Sequence, residues 1–482
     1  MPTHDELTAL DATFLELEQA DDGALMHIGG ALVFDAPPGH GPPTIAEVRD
    51  QLDQRLDLLP RYRQKLSDAR TGGLSWPSWE RDPHFAIDAH VRHAVLPAPG
   101  DESDMLEWLA DFYSHRLDRN RPLWEMVLLD GLTAGRWALV SKIHHCLVDG
   151  VGSVDLVGLL LGADPLLSEA PEPDAVDGGA SGETSHGWLP HPPAAAESLA
   201  GVGLTAARGG VQALTHPREA AARWRDMVDL LVRDELIPAP SSSLNVPIGS
   251  TRRIATVHVG LEDMQTVRSG LGGTVTAVVL CAVTGGLRQL LLARGEDLPA
   301  RGLRAMVPVN IRGASDHGTL GNKVSSLFVD LPVAEADPLR RYRRVVAATE
   351  KGKAGGAVLA ASALTGLTEL IPPLLHAVLA RPMYAKRLFN ITITNVPGSP
   401  DRVYAFGARM VDVVPIVPLA ADHSLGIAVV SYAGQMTFGL SADRPTVPDL
   451  DVLRDGIVSS LLDLSVLAQW PRPAAHQPEI RR

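Results

Sequence analysis

Cysteine is close to absent from this chain. Two residues among 482, Cys146 and Cys281, argue against a disulfide framework and fit a reducing compartment. A surplus of basic residues is also missing. The formal net charge is −14, which argues against broad, non-specific binding to nucleic acid. An anionic ligand therefore needs a local basic patch. "PRYRQK" (Pro60 to Lys65) and "RRYRR" (Arg340 to Arg344) qualify, although solvated helix faces read the same way. The opening "MPTHDELTALDATFLELEQADD" is acidic and lacks the apolar core of a signal peptide, so none is expected. No Gly-x-Ser-x-Gly elbow presents a serine nucleophile, and no His-Glu-x-x-His pattern presents zinc ligands.

What is present is an ordinary globular balance, 45% hydrophobic and 21% charged, on a chain long enough for two or three domains with large cores. Thr44 and Glu47 have capping-box spacing, and Ile45, Val48, Leu52, Leu56 and Leu59 recur at helical spacing. A second helix is predicted over Asp104 to Leu117. "PLWEMVLLDGL" reads as a strand ending at Asp130-Gly131, and "RWALVSKIHH" as the next, with Trp137, Leu139 and Ile143 on one face. A helix start follows Gly150. Residues 164–194, rich in Pro, Gly, Ala, Ser and acids, read as a linker, and residues 195–236 as helical. From Thr251 onward strands ("RRIATVHVGL", "LRAMVPVNI", "SSLFVDLPV", "FNITITNVPG", "GQMTFGLSA") alternate with helices ("TAVVLCAVTGGLRQLLLARG" and the 338–352 stretch), a mixed α/β pattern. Ala354 to Ala380 is apolar enough to suggest a membrane span. Glu369 and Pro372-Pro373 interrupt it, which favours two shorter helices that pack in the core, line an apolar pocket or dip into a membrane surface.

The stretch "LVSKIHHCLVDGVGS" (Leu139 to Ser153) carries the chemistry. Buried histidines with satisfied hydrogen bonds are common in cores, and that is the structural reading of His144 and His145. A metal reading needs both imidazoles on one side, whereas adjacent residues at a strand end point to opposite sides. A general-base reading needs one neutral imidazole, a fixed tautomer and a substrate hydroxyl. Asp149 can bond the imidazole or hold the loop through an arginine, and Gly150 permits a tight turn. Cys146 is the one nearby sulfur, so direct transfer is favoured over a covalent acyl-enzyme.

"HHCLVDG" matches the HHxxxDG signature of chloramphenicol acetyltransferase-like acyltransferases and condensation domains. With it occur "LTALDATFLELE", "HIGGALVFD" (His27 to Asp35), "DRNRPLWEMVLLDGL", "GNKVSSLFVDLP" (Gly321 to Pro332) and "NVPGSPDRVYAFGARM" (Asn395 to Met410). In this order, and over nearly the whole chain, they resemble the bacterial wax ester synthase/diacylglycerol acyltransferase family. Only the 164–250 region carries no recognisable match. The resemblance implies an α/β fold of mixed α+β type, with two chloramphenicol-acetyltransferase-like lobes and a tunnel between them. Residues 1–163 would form the first lobe, 164–250 a flexible linker with a helical connector, 251–470 the second lobe and 471–482 a tail.

The resemblance also implies an acyl-CoA-dependent O-acyltransferase that esterifies diacylglycerol or a long-chain alcohol. Acyl-CoA enters the tunnel from one side and the alcohol from the other. His145 is then the general base and His144 its support. Asp149 is structural, ion-paired to an arginine for which Arg312 is the candidate. Asn310 and Asn395 are candidate oxyanion or structural supports. Neither cofactor nor metal is implied. The implied partners are acyl-CoA, the lipid acceptor and the surface of a membrane or lipid droplet, with a cytoplasmic location. Two other readings stay open: a relative using a carrier-protein thioester, and a catalytically weak lipid-binding homologue. The second is favoured by Thr276-Ala277, where the family usually has Asn-Asp.

Residues 164–194 contain no Lys or Arg, so trypsin cannot report on them. A broad-specificity protease should cut there first and release two large fragments. First cuts within 260–340 would overturn the two-lobe division.

Overall fold

The computed structural model describes residues 7–36, 41–67, 77–147, 156, 158–162, 238–310, 324–354 and 388–469. In chain order the first half contributes α1 (Ala9–Ala20), β1 (His27–Phe34), α2 (Ile45–Arg55), β2 (Gln64–Leu66), β3 (Trp79–Arg81), α3 (Ile87–His90), β4 (Val91–Val95), α4 (Glu102–Phe112), β5 (Trp124–Asp130) and β6 (Trp137–His144). The second contributes β7 (Arg252–Gly260), α5 (Leu261–Leu271), α6 (Val275–Ala293), β8 (Leu303–Asn310), β9 (Val324–Leu331), α7 (Pro338–Ala354), β10 (Ile391–Pro397), β11 (Tyr404–Ala405), β12 (Ala408–Ile416), β13 (Leu425–Tyr432), β14 (Gln435–Asp443) and α8 (Leu450–Gln469). The predicted linker 164–194, the helical stretch 195–236 and most of the apolar stretch 354–380 lie outside the described residues.

The local signals work as their chemistry requires. Thr44 caps α2 and Glu47 returns the bond, completing the capping box. The helix predicted from Asp104 starts at Glu102 instead, because Asp101 is its N-cap and Asp104 closes a second box. It ends at Phe112 rather than Leu117. The carbonyls of Phe112 and His115 turn to the buried Lys142 ammonium, at 3.0 and 3.1 Å.

Among the described residues two six-stranded mixed sheets follow, in the orders β11-β12-β1-β6-β5-β4 and β7-β14-β13-β10-β8-β9, besides the β2-β3 pair. Trp137, Leu139 and Ile143 point into one apolar cluster of the first sheet, as their alternation predicts, while Ala138 and Val140 point into another. Residues 404–416, part of the stretch predicted to form the second lobe, add two strands to the first sheet. β12 pairs with β1 antiparallel, Ala31 opposite Val414. The seat is close. A side chain on Gly29 would collide with the Ser141 carbonyl of β6, and one on Gly30 with the Val414 carbonyl of β12. Both glycines also have positive φ, 141° and 153°, which suits glycine alone.

Helix α6 is long and apolar enough to cross a membrane, yet most of it is buried. It packs on α8 where Gly285 faces Ser460 and Gly286 faces Ile457. The second core surrounds it.

The two sheets meet along β12, β14, β7 and α4. At the outer end of this seam, His258 of β7 lies 3.1 Å from Glu102 of α4 and 3.6 Å from Asp412 of β12. Thr437 of β14 approaches the other ring nitrogen at 3.3 Å, and Thr256 donates to Glu102. The Glu102 contact, opposed by partial burial and helped by Asp412, holds the His258 imidazolium above its ordinary pKa. A raised folded pKa adds stability below the unfolded value and loses it as pH rises through the folded value. The melting temperature should therefore fall more for wild type than for His258→Gln between about pH 6 and about pH 8, and less so at high salt. Parallel curves for the two proteins would refute the clamp.

Candidate active site

The paired histidines sit where β6 ends. His144 is the last residue of the strand, with its N–H bonded to the Leu123 carbonyl at 2.9 Å. His145 opens a short 3-10 turn, and its N–H donates to the Met26 carbonyl at 2.8 Å. The change from strand to turn separates the two rings.

His144 points into protein. It is 1% exposed, its Nδ1 accepts the Cys146 N–H at 3.1 Å, and its Nε2 lies 3.4 Å from Glu18 of α1. The other Glu18 oxygen lies 3.3 Å from Nε2 of His27, the residue directly opposite His144 in the β1–β6 ladder. These are close contacts of the carboxylate with two imidazoles, without aligned hydrogen-bond geometry. Burial alone would raise the Glu18 carboxyl, but its contacts with His144 and His27 hold it far below the usual carboxylate range. Burial pushes His27 down to about 4 despite Glu18. The cluster is thus an ionised carboxylate with His27 neutral beside it.

His145 stacks flat on Phe14, with centroids 3.9 Å apart and planes 20° apart. Phe14 and Glu18 are one turn apart on α1, so a single helix face meets both histidines. Burial pushes the His145 ring to about 4, although the residue keeps some accessible surface, and solvent there opposes the shift. Either way the ring is neutral near pH 7, the form that accepts a proton. Burial raises the Cys146 thiol well above its ordinary value, so it is no ready thiolate.

The remaining predicted residues divide. Asp149, Gly150 and Arg312 lie outside the described residues. Asn310 ends β8, opposite Val324. Asn395 of β10 donates its Nδ2 to the Thr276 hydroxyl at 3.2 Å, at the first turn of α6. Ala277 beside it is buried in the second core. Among the described residues no hydrogen bond joins Asn395 to His145, and no His, Cys, Asp and Glu set has metal-binding geometry.

Sequence reasoning missed Glu18 and His27. An acid on the buried face of an apolar helix, and a histidine opening a strand before two glycines, were the available signals.

The wax ester synthase/diacylglycerol acyltransferase catalytic domain matches residues 7–279, and the WS/DGAT C-terminal domain matches residues 320–465. The chain belongs to the wax ester synthase/diacylglycerol acyltransferase family. It is an acyltransferase. The catalytic-domain match runs through 164–250, where single motifs give no signal. A Mycobacterium tuberculosis (strain H37Rv) protein named as a diacylglycerol O-acyltransferase, tgs1, is 31% identical over 465 residues, 96% of each chain. The solved wax ester synthase/diacylglycerol acyltransferase from Marinobacter aquaeolei VT8 superposes with a TM-score of 0.67 at 26% identity, covering 96% of this chain and 100% of that one. The first condensation domain of the calcium-dependent antibiotic synthetase shares the fold, with a TM-score of 0.62 at 18% identity and 98% of each chain covered. The wax ester synthase/diacylglycerol acyltransferase fold thus has the mixed α/β, two-lobed form that the resemblance implied.

Truncating His144 leaves the buried Glu18 charge with His27 alone, so His144→Ala should cost about 3 kcal/mol of stability. His145→Ala, beside accessible surface, should cost less. Thermal melting of both variants decides it, and a more stable His144→Ala would reverse the assignment of the two rings.

Proposed function

We propose that this acyltransferase moves a long-chain acyl group from acyl-CoA to the hydroxyl of diacylglycerol or of a long-chain alcohol, with His145 as general base. The observation that carries the reading is a neutral, partly accessible imidazole held flat against Phe14 at a strand end. His145 Nδ1 is enclosed, which leaves Nε2 for the substrate. Nε2 takes the hydroxyl proton as the oxygen attacks the thioester carbonyl. The carbon–sulfur bond then breaks, and the CoA thiolate leaves as thiol with the proton from the imidazolium. The intermediate oxyanion needs N–H donors. Backbone amides serve, with Asn310 or Asn395 as candidates. One Asn395 N–H is already given to Thr276, so a second must do the work. Asp149 keeps a structural role, with Arg312 as its ion-pair candidate.

A tunnel between the lobes would exclude water from the thioester. A narrow cleft at the seam is lined by Leu25, His27, Tyr113, Arg252, Ile416 and Ser441, and His27 stands opposite His144 in the β1–β6 ladder. No cofactor or metal takes part in this mechanism, so chelators should leave turnover unchanged. The acceptors are insoluble, so the enzyme works peripherally at the cytoplasmic face of a membrane or on a lipid droplet. Thr276-Ala277 favours one alternative, a weakly active lipid-binding homologue.

The test is thiol release from palmitoyl-CoA with diacylglycerol and with hexadecanol, with the lipid product identified. His145→Ala should lose at least about 10²-fold in transfer while keeping its melting temperature and acyl-CoA binding. Near-normal turnover in that variant would remove His145 as base. Lipid binding without thiol release in wild type would favour the alternative.

A further inference from the structure

We propose that Glu18 and His27 are positioning residues. One buried carboxylate, shared by His27 and His144, locks the His144 tautomer and so fixes the turn that carries His145. The inference rests on His145 as the base.

The argument starts with the Cys146 amide. Its N–H can donate to His144 Nδ1 at 3.1 Å only if Nδ1 holds no proton. The single proton of neutral His144 is then on Nε2, which faces Glu18 at 3.4 Å. Beside an ionised carboxylate the Nε2–H form is favoured electrostatically, because a bare Nε2 lone pair would face the negative charge. Glu18 therefore selects the tautomer that the Cys146 amide requires. The amide in question is the second residue of the 3-10 turn that His145 opens, so the bond spans His145 itself. The turn is closed from the other side by the His145 N–H to Met26, the residue just before β1.

His27 completes the arrangement. It opens β1 opposite His144 and occupies the second Glu18 oxygen at 3.3 Å. Each carboxylate oxygen therefore faces one imidazole, Oε1 toward His27 and Oε2 toward His144. The same helix that carries Glu18 carries Phe14, on which the His145 ring lies. Glu18 thereby ties three elements, α1, β1 and β6, to the geometry of one imidazole. Glu18, His27 and His144 are 4%, 1% and 1% exposed. Burying a charge is costly, and apolar packing would stabilise the same junction as well. A positioning role accounts for keeping it polar, because misplacing a reacting group by about 1 Å can cost about 10²-fold.

The experiment combines nitrogen-15 NMR of imidazole-labelled full-length protein with kinetics. The His144 signals are assigned by their loss in His144→Ala. Wild type should show His144 with Nε2 protonated and Nδ1 bare. Glu18→Gln should mix the tautomers and lower kcat at least about tenfold, with KM for palmitoyl-CoA within about twofold. Glu18→Asp keeps the charge and should recover the tautomer and part of kcat. His27→Asn should lower kcat in the same sense, and it carries the test if Glu18→Gln fails to fold. Wild-type kcat in Glu18→Gln or His27→Asn would overturn the proposal. So would an unchanged His144 tautomer, or kcat losses that only follow melting temperature. The tautomer is read without turnover, so its failure is separate from failure of His145 as base.

Discussion

Strand β1 has almost no room, and much of the molecule depends on that. It lies between β6 and β12, and neither neighbour leaves space for a side chain on Gly29 or Gly30. The tight fit fixes the register that sets His27 against His144 and binds a strand from the second half into the first sheet. A one-residue slip would turn His27 to the opposite face and break the Glu18 cluster. The same glycines thus serve both the joining of the halves and the construction of the site.

The site balances polar against apolar burial. Glu18, His27 and His144 form a small polar cluster inside an apolar junction, while His145 lies on an aromatic face with some access outward. The two neighbouring imidazoles therefore have different surroundings, one enclosed beside a carboxylate and the other on an aromatic face. Burial keeps His145 neutral, and its stacking on Phe14 limits its motion. The seam between the two sheets is polar at its outer end, where His258 of β7 meets Glu102 of α4 and Asp412 of β12.

Several elements were legible because their signals are local. The α2 capping box lies within four residues, and the β5 and β6 strands announce themselves by alternation and a Gly131 turn. That the two rings of His144 and His145 face apart was expected from strand alternation, and the change from strand to 3-10 turn between them separates the rings. Asn395 was legible as a polar residue in a motif, but its bond to Thr276 joins positions 119 residues apart. Glu18 was not singled out, because its partners lie in β1 and β6. Helix α6 reads equally well as a core helix or a membrane segment until its packing against α8 is known.

The sequence by itself determined several of the elements and the family motifs, because periodicity, capping and short motifs act over a few residues. Only the tertiary structure decided which sheet β12 joins, which acid holds His144 and which aromatic supports His145. Those choices depend on contacts between strands and helices far apart in the chain, and apolar alternation marks a strand without naming its neighbour.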